Sequence, residues 1–224
     1  MNALLAILSI FFNPAETVRR CYGHKMAWLA PVLFGGVLMG IYTYAMGPIQ
    51  FEALRLFPPA EMDMTKIDQL YANMRAMTRF QAFLAPIMLA LMAMLISAVL
   101  VASCVAWNVD LKFPDLYNLV AHAGLINVVQ AMVHLAVLMR RGAVTNLHQL
   151  QPNFGPEMLL SESAPQLLHG LATFFSVFQI WHIVVLALGF AALTGVSKAK
   201  AFLVTAPAWM LGLVIALMGS LMRR

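Results

Sequence analysis

Six polar side chains interrupt stretches of this sequence that are otherwise apolar, and they recur at helical spacing. Asn127, Gln130 and His134 fall at i, i+3 and i+7, within about 60° of one face of a helix, with His122 about a quarter-turn or more away. Ser176, Gln179 and His182 recur at i, i+3 and i+6, next to Trp181. Imidazole and carboxamide groups in such rows can hydrogen-bond one helix to the next, or line a polar cavity for a small ligand, a lipid headgroup or a proton. The first use is the plainer one: it averages only about 0.6 kcal/mol per contact in membranes, yet it removes unsatisfied polar groups from hydrocarbon. A metal site is disfavoured, since His134 and His182 have no carboxylate or thiolate at a recognisable ligand spacing. The sequence has no glycine-rich phosphate loop, no His-Glu-x-x-His, and no Ser or Cys nucleophile set beside a base in a water-accessible segment. We therefore expect no catalytic residue, no enzymatic activity, no cofactor and no metal. No acid lies mid-span, where a proton-coupled transporter would need one.

The elements that carry these residues are dictated by hydropathy. Of the 224 residues 62% are hydrophobic and only 10% are charged, and the mean hydropathy is +0.82. That is far more apolar surface than one soluble core of this length can bury, so a bilayer must cover the excess. The net charge of +5 is dispersed, without a Lys/Arg stripe or interleaved aromatics, which reads as membrane-flanking charge and excludes a nucleic-acid partner. Cys21 and Cys104 have no framework spacing, so neither a disulfide nor a zinc site is implied. His24, His148 and His169 flank spans, Trp28, Trp107, Trp181 and Trp209 partly mark an aromatic belt, and the seventeen Met residues suit adaptable packing.

Length and punctuation then predict an all-α, polytopic membrane protein: a single domain over 1–224 built as a bundle of five transmembrane helices with short interfacial helices. Residues 1–25 are expected to form two short helices on the membrane surface, since Met1 to Phe12 lacks the basic region and cleavage site of a signal peptide. In the second of these Asn13 caps, Pro14 takes the first helical position, and Glu16 stands where a capping-box acid reaches back. The spans are expected at about 26–46, 83–107, 116–139, 174–194 and 202–222, each near the 20 or so residues that cross a hydrocarbon core of about 30 Å. Pro31 is positioned to kink the first. Between the first two, Pro58-Pro59 breaks the chain, and Thr65 with Asp68 starts an amphipathic helix carrying Ile67, Leu70, Tyr71, Met74 and Met77. Asn108 to Lys112 forms a tight turn, Arg140-Arg141 stops the third span, Ser163-Ala164-Pro165-Gln166 signals another cap, and Ser197 to Lys200 turns into the fifth. Two rows of small residues invite close helix approach: Gly36 and Gly40 on the first span, and Ala208, Gly212, Ala216 and Ser220 on the fifth.

Orientation follows from the first span, whose entry through Arg19, Arg20, His24 and Lys25 favours a cytoplasmic N-terminus. Five crossings then leave the C-terminus outside. A plain count leans the other way, because Arg55, Lys66, Arg75, Arg79, Arg140, Arg141, Arg223 and Arg224 fall outside.

The order of these features resembles the Yip1-domain family of five-span membrane proteins, over roughly residues 10 to 220. The matching stretches are Asn13 to Thr17 before the first span, Asp110 to Tyr117 feeding the third, Phe174 to Trp181 opening the fourth, and Gly189 to Lys200, with Thr194 to Lys198 at its turn. Each motif is loose; their order and spacing carry the specificity. In eukaryotes the family is associated with early secretory membranes and small GTPases of the Rab type, while bacterial members are mostly inner-membrane proteins. The lack of a long polar N-terminal region makes a bacterial-type inner-membrane member the expectation. The resemblance implies a non-enzymatic membrane component whose partners are the lipid bilayer and other membrane proteins or a second copy of itself. The alternative is a transporter or a lipid- or small-ligand-handling protein that uses the polar rows on the third and fourth spans.

Overall fold

The structure is a computed structural model that describes residues 9–57, 64–142, 150, 154–161 and 164–221. Met1 to Leu8 of the first interfacial helix, the Pro58-Pro59 break, the Ser163 cap, and the side chains of Thr65, Asp68 and Ser220 lie outside the described residues. Among those described, all regular structure is helical: α1 Pro14–Cys21, α2 Leu29–Leu56, α3 Met64–Ala106, α4 Phe113–Ala123, α5 Leu125–Arg141, a 3₁₀ turn Pro156–Leu159, α6 Gln166–Phe174, α7 Val177–Thr194 and α8 Lys198–Leu221. Five stretches are long and apolar enough to cross a membrane: Leu29–Leu56, Ala72–Ala106, Phe113–Arg141, Val177–Thr194 and Lys198–Met218. The protein is a multi-pass, all-α membrane protein.

Local chemistry explains where these helices begin and end. Asn13 caps α1 by accepting the Glu16 N–H, with Pro14 at the first position. The Glu16 carboxylate does not reach back to the cap; it pairs with Arg20 one turn on at 2.8 Å, an exposed i,i+4 contact. Ser176 caps α7 by accepting the Gln179 N–H at 3.2 Å, so the fourth span opens at Val177 rather than 174. It stops at Gly195, whose φ of +72° lets the Gly195 N–H bond the Ala191 carbonyl. Ser197 then caps α8 through the Lys200 N–H. Pro31 sits in the first turn of α2, where no helical N–H bond is due and no kink follows. The expected amphipathic helix and the second span are one continuous helix, α3, of 43 residues.

The third span is divided. Gly124 separates α4 from α5, and the Asn127 N–H bonds the Gly124 carbonyl at 3.1 Å instead of the Ala123 carbonyl four residues back, which an unbroken α-helix would use.

The chain packs as two compact units, Met1–Val32 with Ala90–Asn127 and Asn153–Arg224, and Leu33–Leu89 with Val128–Pro152. In the first unit α7 meets α8, α1 and α4, while α6 meets α8. Gly189 of α7 lies where Leu119 of α4 and Val18 of α1 converge, and a side chain there would collide with Leu119. In the second unit the first and second spans touch backbone to backbone. A Cβ added at Gly36 would stand 2.5 Å from the Pro86 Cα, and one at Gly40 would stand 2.7 Å from the Ala82 carbonyl oxygen. Met46, Leu135 and Leu138 form the buried apolar cluster of this unit, with Tyr42, Ala45, Ile49 and Met132 against it.

Candidate functional site

The densest buried polar chemistry lies in the first unit, where α4 meets the turn that follows α1. Asp115, Asn118 and His122 recur at i, i+3 and i+7, so they share one face of α4, and all three are buried. That face grips the chain just before the first span. The Asp115 carboxylate accepts the Gly23 N–H at 3.1 Å, and the Asn118 amide donates to the His24 carbonyl at 2.9 Å. His122 Nδ1 lies 2.7 Å from the Asn118 carbonyl. A carbonyl only accepts, so Nδ1 carries the proton and the neutral ring's Nε2 is left as an acceptor. The Cys21 thiol, 3.8 Å away, donates to it. Gly23 makes the turn with φ +76°, in the left-handed region that glycine enters freely.

This arrangement is built to hold, and its thiol is not activated. Burial pushes the Cys21 thiol up from its ordinary value, which keeps it protonated, and the thiolate is the nucleophile. Asn118 is only 3% exposed and its side-chain amide oxygen Oδ1 has no hydrogen-bond partner among the described residues, at a cost of about 1–3 kcal/mol. Tyr117 stacks on Phe113, meets the edge of Trp28 at 5.1 Å between ring centres, and donates its hydroxyl to the Ala90 carbonyl at 3.1 Å. The same segment therefore binds the start of the first span and the second span.

A second intramembrane contact lies at the break in the third span. His182 Nδ1 is 3.1 Å from the Ala123 carbonyl, the group that the break releases from helical bonding. The imidazole must donate there, and it satisfies a carbonyl that hydrocarbon would leave unpaired. Thus α7 stabilises the interruption in its neighbour.

Of the polar residues singled out by spacing, His134, Ser176 and His182 each have a partner of their own. His134 Nδ1 meets the Tyr42 hydroxyl of the first span at 3.0 Å, in the second unit. Ser176 caps a helix, His182 holds the Ala123 carbonyl, and Gln179 is half-buried one turn along from Ser176. Asn127 is exposed and Gln130 half-buried, although both lie on the same face of α5 as the buried His134. Asp115 and Asn118 are not among the residues that spacing singles out above, although their i, i+3, i+7 relation to His122 is visible in the sequence.

The small-residue rows also differ. Gly36 and Gly40 are filled by Pro86 and Ala82, whereas a Cβ at Gly212 would meet only the Phe174 ring edge, at an ordinary 3.5 Å. Ala208 is buried and Ala216 half-buried. Among the described residues no group of three or more His, Cys, Asp or Glu is placed to hold a metal ion.

The stretches that bear the family resemblance come together in the first unit. Asn13 to Thr17 begins α1, Asp115 and Tyr117 anchor the first and second spans, Ser176 caps α7, and Gly189 receives Val18 and Leu119. Among curated proteins and among solved structures, nothing matches the chain significantly. The model of the Yip1 domain, however, matches residues 8–219, nearly the whole chain, and the protein belongs to that family.

Proposed function

We propose that this protein is a non-enzymatic membrane component that acts by associating, through its helices, with other membrane proteins or with a second copy of itself. The observation that carries this reading is the unequal use of the two small-residue rows. Gly36 and Gly40 are occupied by the second span, while a Cβ at Gly212 of the fifth would meet only the Phe174 ring edge, at van der Waals distance. Small residues at four-residue spacing are how membrane helices approach closely. Cross-linking in native membranes tests it, with single cysteines at Gly212 or Ala216 in a chain lacking Cys21 and Cys104. A trapped protein or dimer is expected. If neither position traps any protein, the row serves internal packing alone.

A second reading, the handling of a lipid or small ligand within the membrane, is favoured by the break at Gly124. Interrupted spans in transporters place backbone polar groups at binding sites, and the His182–Ala123 contact is such a place. It requires His182→Leu or Gln179→Leu to alter a membrane phenotype or a co-purifying ligand; variants indistinguishable from the parent would remove its support.

The bacterial inner membrane, an N-terminus in the cytoplasm and a C-terminus outside complete the proposal. The basic entry to the first span supports that orientation.

A further inference from the structure

A cavity of about 140 Å³ opens in the unit formed by Leu33–Leu89 and Val128–Pro152, where the last turns of the first span pass the early turns of α3. Its charged lining comes from Arg75 and Arg79, one turn apart on α3. Neither guanidinium has an ion pair or a hydrogen bond among the described residues. The hydroxyl-bearing side chains of Tyr44 and Thr78 also line it, with Pro48 and Phe51 as an apolar wall. Gly47 lets the two helices close behind the cavity: a Cβ there would lie 2.6 Å from the Thr78 methyl carbon.

Depth and direction say what would enter. Phe80 to Trp107 contains no charged residue, and at 1.5 Å per residue Arg79 stands about 21 Å from the middle of that stretch. A bilayer is about 40–45 Å thick with its headgroups, so this is headgroup depth. On α3 the row continues from Arg75 and Arg79 to Phe83 and Ile87 at four-residue steps, and those two side chains are 78% and 54% exposed. The two guanidiniums thus lead directly onto an apolar face turned away from the protein. Guanidinium forks match phosphate oxygens in geometry as well as charge.

We propose that this cavity binds the phosphate of an anionic phospholipid. Arg75 and Arg79 hold the phosphate oxygens, the Thr78 and Tyr44 hydroxyls donate to it, and the acyl chains lie along Phe83 and Ile87. A free phosphate would satisfy the same donors but would leave the apolar row unused.

The test is native mass spectrometry of the full-length protein in mixed micelles of detergent with equal amounts of phosphatidylglycerol and phosphatidylcholine. Phosphatidylglycerol is expected to be retained in preference, and Arg75→Gln or Arg79→Gln each to weaken its retention about fivefold, the effect of one basic group near a membrane surface. Arg79→Lys, which keeps the charge but loses the fork, is expected to fall between. Arg140→Gln, an equal charge loss elsewhere, is expected to retain the lipid as the parent does. Millimolar inorganic phosphate is expected not to displace it. Equal retention of the two lipids would overturn the proposal, as would an Arg140→Gln variant as impaired as Arg79→Gln, or displacement by free phosphate. Matching thermal midpoints in lipid-free detergent verify that the variants are folded; should Arg79→Gln fail to fold, Arg75→Gln and Arg79→Lys decide in its place.

Discussion

At the scale of single residues, what distinguishes this protein is how its intramembrane polar groups are used. His122 and His182 each give a ring proton to a backbone carbonyl, and Ser103 does the same across helices, donating to the Val204 carbonyl at 2.6 Å. Such groups are held because the alternative is an unpaired dipole in hydrocarbon. The Asp115 and Asn118 contacts to the turn after α1 have the same logic and a measurable consequence. Replacing both by Ala removes the bond to the Gly23 N–H and one of the two bonds that the His24 carbonyl accepts, the other coming from the Ala27 N–H, at about 0.5–1.5 kcal/mol each. The turn is expected to open, so that in a Cys104→Ser background maleimide labels Cys21 at least about tenfold faster than in the otherwise unchanged chain. An unchanged labelling rate would show that these two contacts do not secure the turn. In the parent protein the raised pKa of Cys21 predicts that alkylation accelerates only at a pH above that of a free thiol, since the thiolate is the reacting form. The sign for stability is the opposite of a paired carboxylate's. The unfolded chain loses its thiol proton first, so stability from this group falls as the pH rises past the ordinary thiol value.

At the scale of elements, small residues and breaks decide how the helices meet. Gly36 and Gly40 bring the first span onto Pro86 and Ala82 so closely that any side chain forces the backbones apart. Gly40→Val is expected to cost about 1–3 kcal/mol, the usual penalty of overpacking, while Gly212→Ala stays within about 0.5 kcal/mol, as substitutions without a clash do. Thermal unfolding in detergent compares them directly. A Gly40→Val variant as stable as Gly212→Ala would mean that the first two spans tolerate separation. The Asn13-Pro14 start was legible in sequence because it acts on backbone within four residues, whereas Ser176, counted by spacing in a polar row, caps α7 and Gly195 ends it. The division of the third span was not legible. Gly124 has ordinary right-handed torsions, φ −59° and ψ −21°, so nothing about the glycine itself demands a break. What compensates it is the His182 imidazole from another span, a partner 59 positions away.

At the scale of the whole molecule, the proposed orientation has the segments before the first span and after the fifth on opposite faces of the membrane. Reporter fusions at the two ends are therefore expected to report opposite compartments, with the N-terminal one in the cytoplasm. A C-terminal reporter that fluoresced only in the cytoplasm would overturn the orientation. The number of spans, their helical character and the family were all present in the sequence, because crossing a bilayer imposes a length and an apolarity that one stretch of chain satisfies alone. His134 and His182 could be recognised as inward-directed for the same reason, but Asn127 of the same row is exposed, and spacing on one helix says nothing about which neighbour answers it. Only the tertiary structure decided that His134 answers Tyr42, that His182 answers a released carbonyl, and that Asp115 and Asn118 fasten the chain ahead of the first span. It also decided which glycine row is filled and where two guanidiniums flank a cavity. Those outcomes depend on contacts between segments far apart in the chain, and periodicity within a segment carries no term for them.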